Sequence, residues 1–128
     1  MVVGGKNCKK EKKAEYYTLT FRDDTAEEMP QIGTCIALHY NDGTCHLEKV
    51  YWGTKMDYEV SRNGVVEMGW FFDKENTWKL MECTETHDAR SMLEVLCTMF
   101  QEHADEADRD FLRFCDEKGI RYEYRVYY

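Results

Sequence analysis

THDARSMLEVLCTMFQEHADEADRDFLRFCDEKG, residues Thr86 to Gly119, has no proline, and no glycine before its last residue. Met92, Leu96 and Met99, then Ala107, Phe111 and Cys115, recur at helical spacing, and Leu93, Phe100, Leu112 and Phe114 widen the stripe. Thr86 or Asp88 suits the start, because a short side-chain oxygen accepts bonds from the free N–H groups of a first turn. Lys118 and Gly119 suit the end, where a cation meets the helix dipole and glycine takes the left-handed conformation. The middle, Gln101 to Asp110, is poor in large apolar groups. It reads either as one long helix continuing through His103 and Ala107, or as two helices with Asp105 capping the second. The lack of Gly and Pro favours one helix, although its length exceeds the usual for a small domain.

The chain before this stretch reads as strands, and one strand follows it. Glu15 to Arg22 alternates, with Tyr17, Leu19 and Phe21 on one face. Asp23 to Pro30 is an acidic loop or a short helical turn stopped by Pro30. Thr34 to Tyr40 and Cys45 to Trp52 form a hairpin about Asp42-Gly43, a turn whose central residues need positive φ. This register sets Leu38 opposite Leu47, Tyr40 opposite Cys45, and His39 opposite His46 on the other face. Met56 to Arg62 and Val65 to Phe72 read as a second hairpin about Asn63-Gly64, though the pairing of Glu59 with Met68 and Val60 with Glu67 is untidy. Asp73 to Asn76 is a polar turn, and Thr77 to Cys83 a sixth strand carrying Trp78, Leu80 and Met81. Ile120 to Tyr127 closes the chain in strict alternation. The expected class is α+β: an antiparallel sheet of about six to seven strands built from hairpins, packed by the long or broken C-terminal helix and closed by the final strand.

With 128 residues the chain fits one domain, placed at residues 15–128 behind a basic arm at residues 1–14. The arm holds Lys6, Lys9, Lys10, Lys12 and Lys13 against Glu11, a charge of +4 in a chain of net −8, so the remainder carries −12. A surface that acidic repels nucleic-acid phosphates and attracts basic macromolecular surfaces. The sequence shows neither an apolar leader nor an apolar membrane span, so a cytoplasmic protein with no membrane partner is expected. The six cysteines form no CxxC pair and read as reduced, small apolar residues.

Catalytic patterns are scarce. There is no Gly-rich phosphate loop, no HExxH and no GxSxG. Cys97 and His103 are poorly matched as nucleophile and base. Asp57, Glu59 and Asp73 resemble the acids of a metal-dependent nuclease only faintly, and alternate acids usually mark a wet strand face. His39 and His46, with Glu48 nearby, can begin a metal site, and a small metal-dependent enzyme built on them is one reading. No third ligand has an argued position, so no metal, no cofactor and no enzyme activity is expected. The acid is more informative. Glu82 to Glu117 contains eleven carboxylates against Arg90, Arg109 and Arg113. Glu102, Glu106 and Asp110 follow one another at i, i+4 spacing, so on a continuous helix they form one stripe. Glu94, Glu102, Asp105, Glu106, Asp108, Asp110, Asp116 and Glu117 are therefore the expected partner-binding residues. They imply a non-enzymatic binding protein whose carboxylates take the place of nucleic-acid phosphates on the basic surface of a nucleic-acid enzyme. Small inhibitors of phages and mobile elements, including anti-restriction and anti-CRISPR proteins, act in this manner, and no stretch here matches a named family of them. The alternative is an interaction or assembly module, including a homodimer, formed through aromatic residues such as Tyr122, Tyr124, Tyr127 and Tyr128.

Overall fold

Asp42 and Gly43 turn the chain at φ 44° and 102°, joining β2 (Gly33–Asn41) to β3 (Thr44–Trp52) in the computed structural model, which describes residues 14–25 and 30–128. Leu38 pairs with Leu47, Tyr40 with Cys45 and His39 with His46, the register expected from the Asp-Gly turn. β1 (Tyr16–Asp23) pairs antiparallel with β2. Phe21 is an extra residue in that ladder, so Phe21 and Arg22 both turn toward the helices. β4 (Val65–Phe72) pairs with β3, and β5 (Glu123–Tyr127) pairs with β4. The described residues thus form a five-stranded antiparallel meander in the order β1-β2-β3-β4-β5, and the chain is α+β as expected. None of their helices is long and apolar enough to cross a membrane.

Two expected strands are helices. Met56 to Arg62 does not pair with Val65 to Phe72. Met56 to Val60 lie in α1 (Lys55–Val60), held by a capping box in which Thr54 accepts from the Asp57 N–H and Asp57 from the Thr54 N–H. The excursion is closed by the Gly53 N–H donating to Gly64 O at 3.0 Å. Gly53 has φ +92°, and a Cβ there would fall 1.9 Å from Gln31 O, so the chain requires glycine at this crossing. Strand β4 pairs with β3 instead, which removes the untidy register. Thr77 to Cys83 lies in α2 (Lys74–Cys83), because Asp73 is an N-cap accepting from Asn76 N–H at 2.9 Å rather than part of a turn. Among the described residues the six or seven expected strands are therefore five.

The long C-terminal stretch is broken. α3 (Ala89–Phe100) starts at Asp88, whose carboxylate accepts from Ser91 N–H at 2.8 Å. A 3-10 turn follows over Gln101–Glu106, with His103 non-helical at φ −120°, ψ 59°. α4 (Ala107–Glu117) then begins at Glu106, not Asp105, with no side-chain cap, and Gly119 lies beyond its end at φ 70°. Met99, expected in the apolar stripe, is 44 % exposed.

The helices bury one face of the sheet. Ile36, Leu38, Leu47 and Phe72 pack with Leu80, Met92, Leu96 and Phe111 in a single apolar cluster. Phe111 meets Phe72 and Phe100 edge-on at 5.7 and 5.8 Å. Fully burying one such side chain is worth about 1.5–3 kcal/mol. Cys35, Cys45, Cys83, Cys97 and Cys115 are free thiols. Ile120, expected in the last strand, is a buried core residue preceding β5.

Candidate functional site

The break between α3 and α4 decides where the expected contact residues lie. Glu102, Asp105 and Glu106 are exposed on the 3-10 turn, which contains no buried residue. The turn packs on β1, and Asp105 is close enough to Arg22 to help hold its guanidinium charged, behind the larger effect of the Asp24 hydrogen bond. Asp23 ends the same strand and Asp24, paired with Arg22, follows it, so the 3-10 turn and this strand end together make an acidic corner. The i, i+4 stripe of Glu102, Glu106 and Asp110 does not exist, because non-helical His103 interrupts it.

The other expected residues divide between occupied and unoccupied carboxylates. Asp108 is committed to Lys49 Nζ at 3.2 Å, with side chains only 13 % and 27 % exposed. Asp110 faces Arg113 at 3.7 Å, and Glu106 faces Arg109 at 3.2 Å. Asp116 accepts from the Tyr122 hydroxyl at 2.8 Å, and burial together with that bond pushes the Tyr122 pKa to about 12. Among the described residues, the carboxylates of Glu94, Glu102, Asp105 and Glu117 accept no side-chain hydrogen bond and form no ion pair. Asp57 and Asp73, considered above for metal chemistry, are consumed as helix caps.

The second candidate surface is the sheet face turned away from the helices. One row across it reads Thr18, His39, His46, Phe71 and Glu123, and the next reads Thr20, Ala37, Glu48, Gly69 and Arg125. Period-two alternation puts them all on one face. The rings of His39 and His46 stack at 4.8 Å, those of His46 and Phe71 at 4.9 Å, and the Arg125 guanidinium lies 5.1 Å from the Phe71 centroid. His39 Nδ1 is 3.0 Å from Thr18 Oγ1, and its Nε2 is 3.2 Å from Glu48 Oε1. Burial, then the neighbouring His39, lowers the His46 pKa below the ordinary histidine value. A cleft of about 530 Å³ opens beside His46 and Phe71 and runs to Asn76, Arg121 and Tyr122.

The facing histidines were legible from the Asp-Gly turn, while Thr18, Phe71 and Arg125 were not, since their placement depends on strand order. The aromatic residues proposed for an assembly face are divided. Tyr122 packs on Phe72 and Tyr124 on Trp70, both on the helix side, whereas Tyr127 shares the open face with Glu67. Burial pushes the Cys45 thiol to about 12 and raises Cys35 and Cys115, which leaves these three without nucleophilic thiolate at neutral pH. No protein family, curated protein or solved structure gives a significant match to this chain.

Proposed function

We propose that the protein is a non-enzymatic binding protein that offers its acidic corner, Glu102, Asp105 and Glu106, to a basic surface of a protein partner. The surface that suits such a corner is the phosphate-binding groove of a nucleic-acid enzyme, and the protein acts there as an inhibitor. The observation that carries this reading is the exposure of three carboxylates on a turn that has no buried residue and no side-chain cap. Asp73, Asp88 and Asp108 have structural work as caps or in an ion pair, whereas Glu102 and Asp105 stand together on one turn without such a partner. A duplex presents one charge per about 1.7 Å of axis, so closely spaced carboxylates address the same lysines and arginines. The acidic surface itself repels nucleic acid.

The test is capture of partners from lysate at low and high salt, with the wild-type chain and with an E102K/D105K/E106K variant shown by circular dichroism to be folded. Expected are basic nucleic-acid-binding proteins that release at high salt and bind the variant on the order of tenfold or more weakly. Undiminished capture by the variant would remove the proposal. The sheet face that no described helix covers favours a second reading, assembly of two copies through Val50, Phe71 and Tyr127. A sedimentation experiment showing a salt-resistant dimer, with no basic partner captured, would select it.

A further inference from the structure

Three donor side chains meet on the open sheet face, away from the acidic corner. His39 and His46 face each other across β2 and β3, Glu48 follows two residues along β3, and one ligand atom from each lies within 4.8 Å of the others. We propose that His39, His46 and Glu48 form a binding site for a transition-metal dication of the zinc class. The donor set is two imidazoles and a carboxylate, which zinc accepts with a fourth position left to solvent. Calcium and magnesium prefer sets made of oxygen alone.

The spacing already suits one edge of a tetrahedron. Two bonds of about 2.0–2.1 Å at a tetrahedral angle put their donor atoms about 3.3 Å apart, and His39 Nε2 lies 3.2 Å from Glu48 Oε1. The metal takes the place of the proton that otherwise joins this pair. Thr18 makes the exchange simple. Without metal its hydroxyl donates to His39 Nδ1, and Nε2–H donates to Glu48. With metal the imidazole proton resides on Nδ1 and is donated to Thr18 Oγ1, 3.0 Å away, which frees the Nε2 lone pair. A hydroxyl can fill both roles, so the imidazole changes tautomer without losing its anchor. His46 supplies the third bond by turning its ring away from the stack with Phe71. Ala37 is the small neighbour of Glu48 on β2, while the Phe71 ring covers Gly69 on β4.

The test uses the full chain, stripped with a chelator and titrated with Zn²⁺ by calorimetry and with Co²⁺ by absorption. Expected is one ion per chain at this site, with four-coordinate cobalt bands that lack a thiolate charge-transfer band. H39A and H46A should each weaken binding on the order of a hundredfold, and T18V by about 10- to 100-fold, with T18S restoring it. Ring-nitrogen shifts in wild-type protein locate the ion without any substitution, so a variant that fails to fold does not blunt the test. Zinc must move the nitrogens of His39 and His46 and leave those of His87 and His103 in place. Failure to take up zinc, a thiolate band, or shifts confined to His87 and His103 would each overturn the proposal.

Discussion

Lys49 stands on the helix-facing side of β3, with Ile36 and Met68 beside it in the neighbouring strands. Its ammonium crosses to Asp108 on α4, 59 positions away in sequence. Local sequence has no means of pairing them, which is why Asp108 reads there as one more free acid. The pair is largely screened from solvent, so removing one partner leaves a poorly hydrated charge facing apolar neighbours. D108A should lower unfolding free energy by about 1–3 kcal/mol, measured from the urea midpoint. The double variant K49M/D108L should lose less than D108A alone, since it leaves no unpaired charge. Equal losses in the two variants would show that packing, not charge, matters at this contact.

Asp73 and Asp88 each open a helix and accept a backbone N–H three residues on. These bonds favour the carboxylate form and lower both pKa values, with the Asn76 backbone bond the largest cause at Asp73 and the Ser91 backbone bond at Asp88. A folded-state pKa below the unfolded one gives stability that is fully present above the unfolded value, about 3.9, and is lost as pH falls through the folded value. Melting temperature should therefore hold from neutral pH to about pH 5 and fall below about pH 4. D88N, which keeps a capping oxygen but cannot ionise, should flatten that acid limb; an unchanged limb would assign acid sensitivity to other groups. These caps also explain what the sequence disclosed. The β2–β3 hairpin was legible because Asp42-Gly43 is a local turn, and the facing histidines followed from it. α1 and α2 were missed because Asp57 and Asp73 read as strand-face or turn acids, although each is a cap. Trp78, counted as a strand's apolar member, is 65 % exposed on α2. The break at His103 has neither glycine nor proline to announce it.

Strand order ties the whole molecule together in an uneven way. β1 to β4 are neighbours in both sequence and sheet, but β5 returns to β4 only after α2, α3, the 3-10 turn and α4. Those helices supply Met92, Leu93, Leu96, Phe100 and Phe111, the opposite half of the apolar cluster. A chain stopped after Glu85 should retain strand-forming sequence yet aggregate and bind a hydrophobic dye, because Leu38, Leu47 and Phe72 lose their cover. A monomeric, dye-silent fragment would contradict this division of the core. The same order sets a schedule during synthesis. Translation delivers β1 to β4 first, then the helical cover and then β5, at about 5–20 residues per second. For a few seconds the nascent chain presents a bare apolar sheet to the cell, and the interval ends only when α3 and α4 have left the ribosome.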